Sequence, residues 1–139
     1  MSVSTTANTS SPALANAAIL IGRIFLSMMF IVAGYGKLTA IAGTAGWFES
    51  LGLPMPTVVT VLVGLLELVG GLAILAGFQT RIAALAVAAF TVAATLVAHT
   101  DFADQMQQLL FMKNLSITGG LLVLAAFGAG AFSVDARRG

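Results

Sequence analysis

The chain has 139 residues, of which 59% are hydrophobic and only 8% charged, and its mean hydropathy is +1.04. Soluble domains carry about 25% charged residues, so this composition excludes an ordinary water-soluble domain and indicates an integral membrane protein. A net charge of +1 without any basic run speaks against nucleic acid as a partner, and the lack of cysteine excludes disulfides, Fe–S clusters and thiol catalysis.

Residues 1–13 are rich in Ser and Thr and hold no Lys or Arg. A signal peptide needs a basic segment ahead of its apolar stretch, so these residues read as a disordered tail, with the sequon at Asn8 a chance match. Residues 14–139 read as a single membrane domain. Four segments are long enough to cross a hydrocarbon core, which takes about 20 residues: Ala13 to Leu38, Thr57 to Phe78, Arg81 to His99 and Lys113 to Phe132. Lipid cannot satisfy an open backbone, so all must be helices.

The connections differ. "GFQTR" between the second and third spans is tight and makes them antiparallel neighbours. The longer "TAIAGTAGWFESLGLPMP" can place Ile41, Trp47, Phe48 and Leu51 on one face of a short helix, with Gly52 at its C-terminal cap. Trp favours the membrane–water boundary, so this helix is expected to lie on the membrane surface. "HTDFADQMQQLLFM" reads similarly, capped by Thr100 or Asp101, with Phe102, Met106 and Leu109 at helical spacing. The predicted fold is all-α: an integral membrane four-helix bundle with short amphipathic helices in the first and third loops. Arg81, Arg137 and Arg138 fall on the side of the termini, against Lys37 and Lys113 on the other, so the positive-inside rule expects both termini in the cytoplasm.

Each span carries polar residues in steps of three or four, which keeps them on one helix face. These sets are Arg23, Ser27, Gly34 and Lys37; Thr60, Gly64, Glu67 and Gly71; Thr91, Thr95 and His99; and Asn114 and Thr118. Turned inward, they make one polar seam. A charge at mid-bilayer costs about 2.5–3.5 kcal/mol, so Glu67 needs a partner. At 1.5 Å per residue, Glu67 lies about 15 Å from either surface and Arg23 within about 6 Å of its level. Arg23–Glu67 is therefore the expected buried ion pair, either fixing helix register or serving a site. Lys37, His99, Lys113 and Asn114 are expected to cluster above it, although both lysines could simply snorkel to the interface. The threonines and Ser27 suit local or interhelical hydrogen bonds, and Gly64, Gly70, Gly71, Gly119 and Gly120 suit close helix contact. Small-residue faces and a short chain make a homo-oligomer the expected state. One histidine without cysteine makes no metal site.

The ordered set "GRIFLSMMFIVAGYGKL", "LLELVGGLAILAGFQTRIAAL", "AHTDFADQ" and "FMKNLSITGGLLVL" resembles the DoxX family of small bacterial membrane proteins over Ile21 to Asp135. Tyr35 between Gly34 and Gly36, and the later "GAGAFSVD", suit its inner-membrane branch. The resemblance implies a four-helix inner-membrane protein. It also implies quinone-linked redox work, because some relatives are tied to quinol oxidase or thiosulfate:quinone oxidoreductase activity; others are linked to oxidative-stress or aromatic-compound responses. On that reading the seam holds a quinone or aromatic headgroup, and electrons come from a redox-enzyme partner subunit or a bound cofactor. Its ligand-binding candidates are Arg23, Tyr35, Lys37, Trp47, Glu67, His99, Lys113 and Asn114. Glu67 and His99 would handle protons, and Trp47, Tyr35 and Phe102 would close over the ring. No residue is assigned as catalytic. The competing reading is a non-catalytic membrane component, either an assembly subunit or a small-molecule binder or transporter.

Overall fold

A computed structural model describes residues 12–138. The elements are α1 (Pro12–Thr39), α2 (Ile41–Ser50), α3 (Pro56–Ala76), α4 (Thr80–Ala98), α5 (Gln105–Phe127) and α6 (Val134–Arg138). Four of them, α1, α3, α4 and α5, are long and apolar enough to cross a membrane. The expected tail lies outside the described residues from 1 to 11, Asn8 included, while Pro12 and Ala13 already belong to α1. Pro suits a first helical turn, where its missing N–H would have no partner anyway.

The bundle is built from two close pairs, α1 with α3 and α4 with α5, joined along α3–α4. Glycine sets the first spacing. A Cβ on Gly34 would lie 2.5 Å from the Leu68 nitrogen and 2.7 Å from the Gly64 carbonyl oxygen, so only glycine lets these backbones meet. Phe30, Ile74, Val87 and Leu121 fill the centre, each at most 1% exposed. Phe25, Val32, Leu62, Val69, Leu96 and Phe127 point outward, where lipid takes the place of a water-excluding shell. Gly70, Gly71 and Gly120 face neighbouring helices, but Gly119 meets nothing within 4 Å and stays on the outer surface.

The loop after α1 forms the expected short helix. α2 ends at Leu51 and Gly52, which has φ +81°, and it packs Ala45 and Phe48 against the start of α3. The loop after α4 does not form a separate helix. His99 to Asp104 make turns, and the amphipathic segment from Gln105 runs without a break into the fourth span. Asp104 supplies the cap, accepting from the Met106 N–H at 2.9 Å, and no Gly or Pro interrupts "QMQQLLFMKN". The fourth helix accordingly starts eight residues before the expected Lys113 and stops at Gly128, whose φ of +83° ends it before Phe132.

At the end of the bundle that holds both termini, side chains do the work of caps. Arg23, 1% exposed, donates to four carbonyls: Nε to Ile74 at 3.0 Å, Nη2 to Leu75 at 2.7 Å, and Nη1 to Ala129 and Phe132, both at 2.8 Å. Two of these belong to the last turn of α3, where carbonyls lack intrahelical partners and the helix dipole favours a cation. α4 begins at Gln79 in a left-handed conformation with no side-chain cap of its own. Its cap arrives from the other end of the chain: Asp135 accepts the Gln79 N–H at 2.7 Å and the Thr80 N–H at 2.9 Å. Burial alone would raise the Asp135 carboxyl, but the hydrogen bonds from Thr80 and Gln79, with Arg138 nearby, hold it below the usual carboxylate value. Asn16 Oδ1 accepts the Ala131 N–H at 3.0 Å, which ties the last loop to α1.

Candidate functional site

Glu67 is 5% exposed and pairs with Lys37, not Arg23: Lys37 Nζ stands 2.7 Å from Glu67 Oε1. The expected Arg23–Glu67 pair does not form, and helix register explains why. Gly34 lies against Gly64 and Leu68, while Gly71 lies against Ile31 and the Ser27 carbonyl. Glu67 therefore sits near the level of Ala33 on α1, some ten residues or roughly 15 Å above Arg23. Counting from assumed span ends put the two levels too close. A lysine one turn above can reach down to the carboxylate, whereas an arginine three turns below cannot.

The pair borders a cavity of about 380 Å³ between the helices, at the end of the bundle away from the termini. Its apolar wall comes from Met29 and Phe30 of α1, Val63 of α3, and Phe90 and Ala94 of α4. Trp47 and Phe48 of α2, with Leu51 and Leu53 just after it, cover one side. The Trp47 and Phe48 rings lie 5.3 Å apart at 36°. The polar lining is Lys37, Glu67, Thr91, His99, Lys113 and Asn114. Six of the eight expected ligand-binding residues thus meet in one place: Lys37, Trp47, Glu67, His99, Lys113 and Asn114. Two do not. Arg23 is occupied at the opposite end, and Tyr35 is 64% exposed on the outer face of α1 and does not line the cavity. Phe102 is also outside it, packed edge-on against Phe111 with centroids 5.1 Å apart.

Hydrogen bonds orient the polar groups. Thr91 donates to the Val87 carbonyl at 2.7 Å, Thr95 to the Thr91 carbonyl at 2.6 Å, and Thr118 to the Asn114 carbonyl at 2.8 Å. These hydroxyls satisfy themselves within their own helices, as expected. Asn114 Nδ2 donates to Thr95 Oγ1 at 3.0 Å and so bridges α5 to α4. His99 Nδ1 lies 2.7 Å from Gln107 Oε1. An amide oxygen only accepts, so Nδ1 donates in this contact, and in the neutral imidazole Nε2 is then the acceptor. Gln107 was not legible as a site residue, because its role depends on the merged loop helix bringing it back over His99. The apolar wall was equally hidden, since Phe48 and Phe90 resemble any other packing aromatics. The chemical character of the whole is a greasy slot with a polar end, the form that most small-molecule sites take.

Comparisons with known proteins agree in kind. The DoxX family model matches residues 18–100. Inner membrane protein YqjF of Escherichia coli K12 is 47% identical over 120 residues, covering 84% of this chain and 88% of that protein. Inner membrane protein YphA of the same organism is 34% identical over 124 residues, covering 86% and 89%. No solved structure matches.

Proposed function

The chain belongs to the DoxX family, and from that premise we propose that it binds a quinone or another small aromatic molecule in the cavity, as an accessory of a quinone-linked redox system. It is a multi-pass inner-membrane protein: four helices are fit to span, and both relatives are inner membrane proteins. The observation that carries the proposal is the cavity itself. It puts an ion pair, a histidine and an asparagine at the end of a slot walled by Phe30, Phe48 and Phe90 and flanked by Trp47. A flat ring with polar substituents fits both parts, its faces against the aromatics and its oxygens at the polar end. With no cysteine in the sequence, electrons would pass to or from a partner subunit or a bound cofactor. His99 and the Lys37–Glu67 pair would exchange protons with the ligand.

The orientation belongs to the same proposal. Arg81, Arg137 and Arg138 gather at the end that holds the termini, with Arg138 5.2 Å above the Phe78 ring. The positive-inside rule then puts both termini in the cytoplasm and the cavity in the outer half of the bilayer. Self-association is also part of it, through outer small-residue faces such as that of Gly119.

Trp47 is the sole tryptophan and borders the cavity, so its emission reports occupancy. The purified protein in lipid nanodiscs would be titrated with a short-tailed quinone in either oxidation state. Saturable quenching is expected, weakened about tenfold or more when Ala94→Phe fills the slot. Quenching that is linear in added ligand and equal in both proteins is diffusional encounter in lipid, and it would sink the proposal.

A further inference from the structure

Three acceptors at the polar end of the cavity have no matching donor. Glu67 is the deepest. Lys37 neutralises Oε1 from 2.7 Å but approaches off the hydrogen-bonding direction, so this buried oxygen has a counter-charge and no aligned donor. His99 commits its Nδ1 proton to Gln107, and its Nε2 has no partner among the described residues. Asn114 donates through Nδ2 to Thr95, and its Oδ1 likewise has no donor among the described residues. All three residues line the same cavity. Glu67 Oε1 is the one of the three that is fully buried, and a buried acceptor is normally satisfied; the other two are only part-buried.

The cavity's own donors do not close this gap. The Thr91 hydroxyl is spent on a backbone carbonyl. Lys37 is held at Glu67, and Lys113 occupies an exposed position at the rim. A donor on the ligand closes the gap. We infer that the cavity is built for a ring bearing a free hydroxyl, a phenol or hydroquinone, in preference to one whose oxygens are only carbonyls or ethers. A carbonyl oxygen can accept from a lysine but leaves all three acceptors without a donor. A hydroxyl donates to one of them and still accepts from a lysine at its own oxygen. This inference rests on the ring-binding reading above and narrows it to the hydroxylated class.

The test uses a matched pair that differs in the donor alone. The full-length protein in nanodiscs is titrated calorimetrically with para-butylphenol and with its methyl ether, para-butylanisole, and empty nanodiscs correct for partition into lipid. The phenol is expected to bind about tenfold or more tightly than the ether, since a site that hydrogen-bonds a ligand hydroxyl penalises the analogue without one. In the triple variant Glu67→Leu, His99→Phe, Asn114→Leu, which removes all three acceptors, the preference is expected to fall to about twofold. Equal affinity for the two compounds, tighter binding of the ether, or a preference that survives undiminished in the triple variant overturns the hydroxyl inference and leaves ring binding standing. Saturable heat from neither compound overturns ring binding and this inference with it. The comparison on the unmodified protein decides the matter even if the triple variant fails to fold.

Discussion

The two ends of the bundle handle charge in opposite ways. At the end holding the termini, Arg23 uses its guanidinium on four carbonyls, and Asp135 caps α4 through both carboxylate oxygens. Arg23 and Asp135 are matched there in number and direction, although the Thr80 hydroxyl is buried without an aligned partner among the described residues, and Arg23 lines neither cavity. At the other end, Glu67, His99 and Asn114 each keep an acceptor without an aligned donor beside about 380 Å³ of space. Both ends contain buried charge, so burial alone does not identify a site. What separates them is the saturation of the charged groups. A saturated network specifies structure, whereas an unsaturated one next to open volume is poised to take a ligand.

The largest expected effect tests the saturated end. Arg23→Leu removes the donors of four carbonyls, two of them in the last turn of α3. Loss of about 3–5 kcal/mol, or failure to accumulate folded protein, is expected. Arg23→Lys should recover only part of it, because one ammonium cannot span the fork of the guanidinium. Helical circular dichroism on heating in detergent gives both values. If Arg23→Leu melted like the parent but no longer bound ligand, the division between the two ends would collapse.

A smaller effect is expected at the unsaturated end. Lys37→Met strands the Glu67 carboxylate and should cost roughly 2 kcal/mol, below the range for fully buried pairs because the Lys37 side chain is 21% exposed. The double variant Lys37→Met, Glu67→Met removes both charges and should regain most of that stability while losing the ligand. A double-mutant cycle on melting and on ligand affinity separates the two roles. A double variant as unstable as Lys37→Met alone would mean that the pair is a structural bolt like Arg23.

The sequence made the spans legible because lipid imposes long apolar runs, and it made six cavity residues legible because polar side chains at helical spacing must turn inward. It did not reveal partners. Glu67 and Arg23 lie on inward faces at depths within about 6 Å of each other when counted from assumed ends, and only the Gly34–Gly64 contact fixes the offset. The start of the fourth span is hidden in the sequence for a related reason. An amphipathic surface segment and a span have the same local signature when no Gly or Pro divides them, so Gln105 to Met112 gave no sign of being continuous with Lys113. Gln107 over His99 follows from that continuity. Contacts across the chain, such as Asp135 on the first turn of α4, leave no local trace at all.

Asp135 provides the finest distinction between the ends. Its two hydrogen bonds are those of an N-cap supplied in trans, so Asp135→Ala should cost about 1 kcal/mol, less than either change above. The sign of its pH dependence follows from the lowered pKa. A carboxylate held below its unfolded value, ordinarily about 3.9, contributes stability in full at neutral pH. That contribution fades as the pH falls through the usual carboxylate value toward the lower folded one. The melting difference between the parent and Asp135→Ala should therefore be constant at neutral pH and shrink only in acid. Ligand affinity should be the same in both proteins throughout, because Asp135 lies at the far end from the cavity. A pH-independent difference would show that the carboxylate charge contributes nothing to the cap. A change in affinity would show that the two ends communicate through α4, whose first turn Asp135 caps and whose last turns line the cavity.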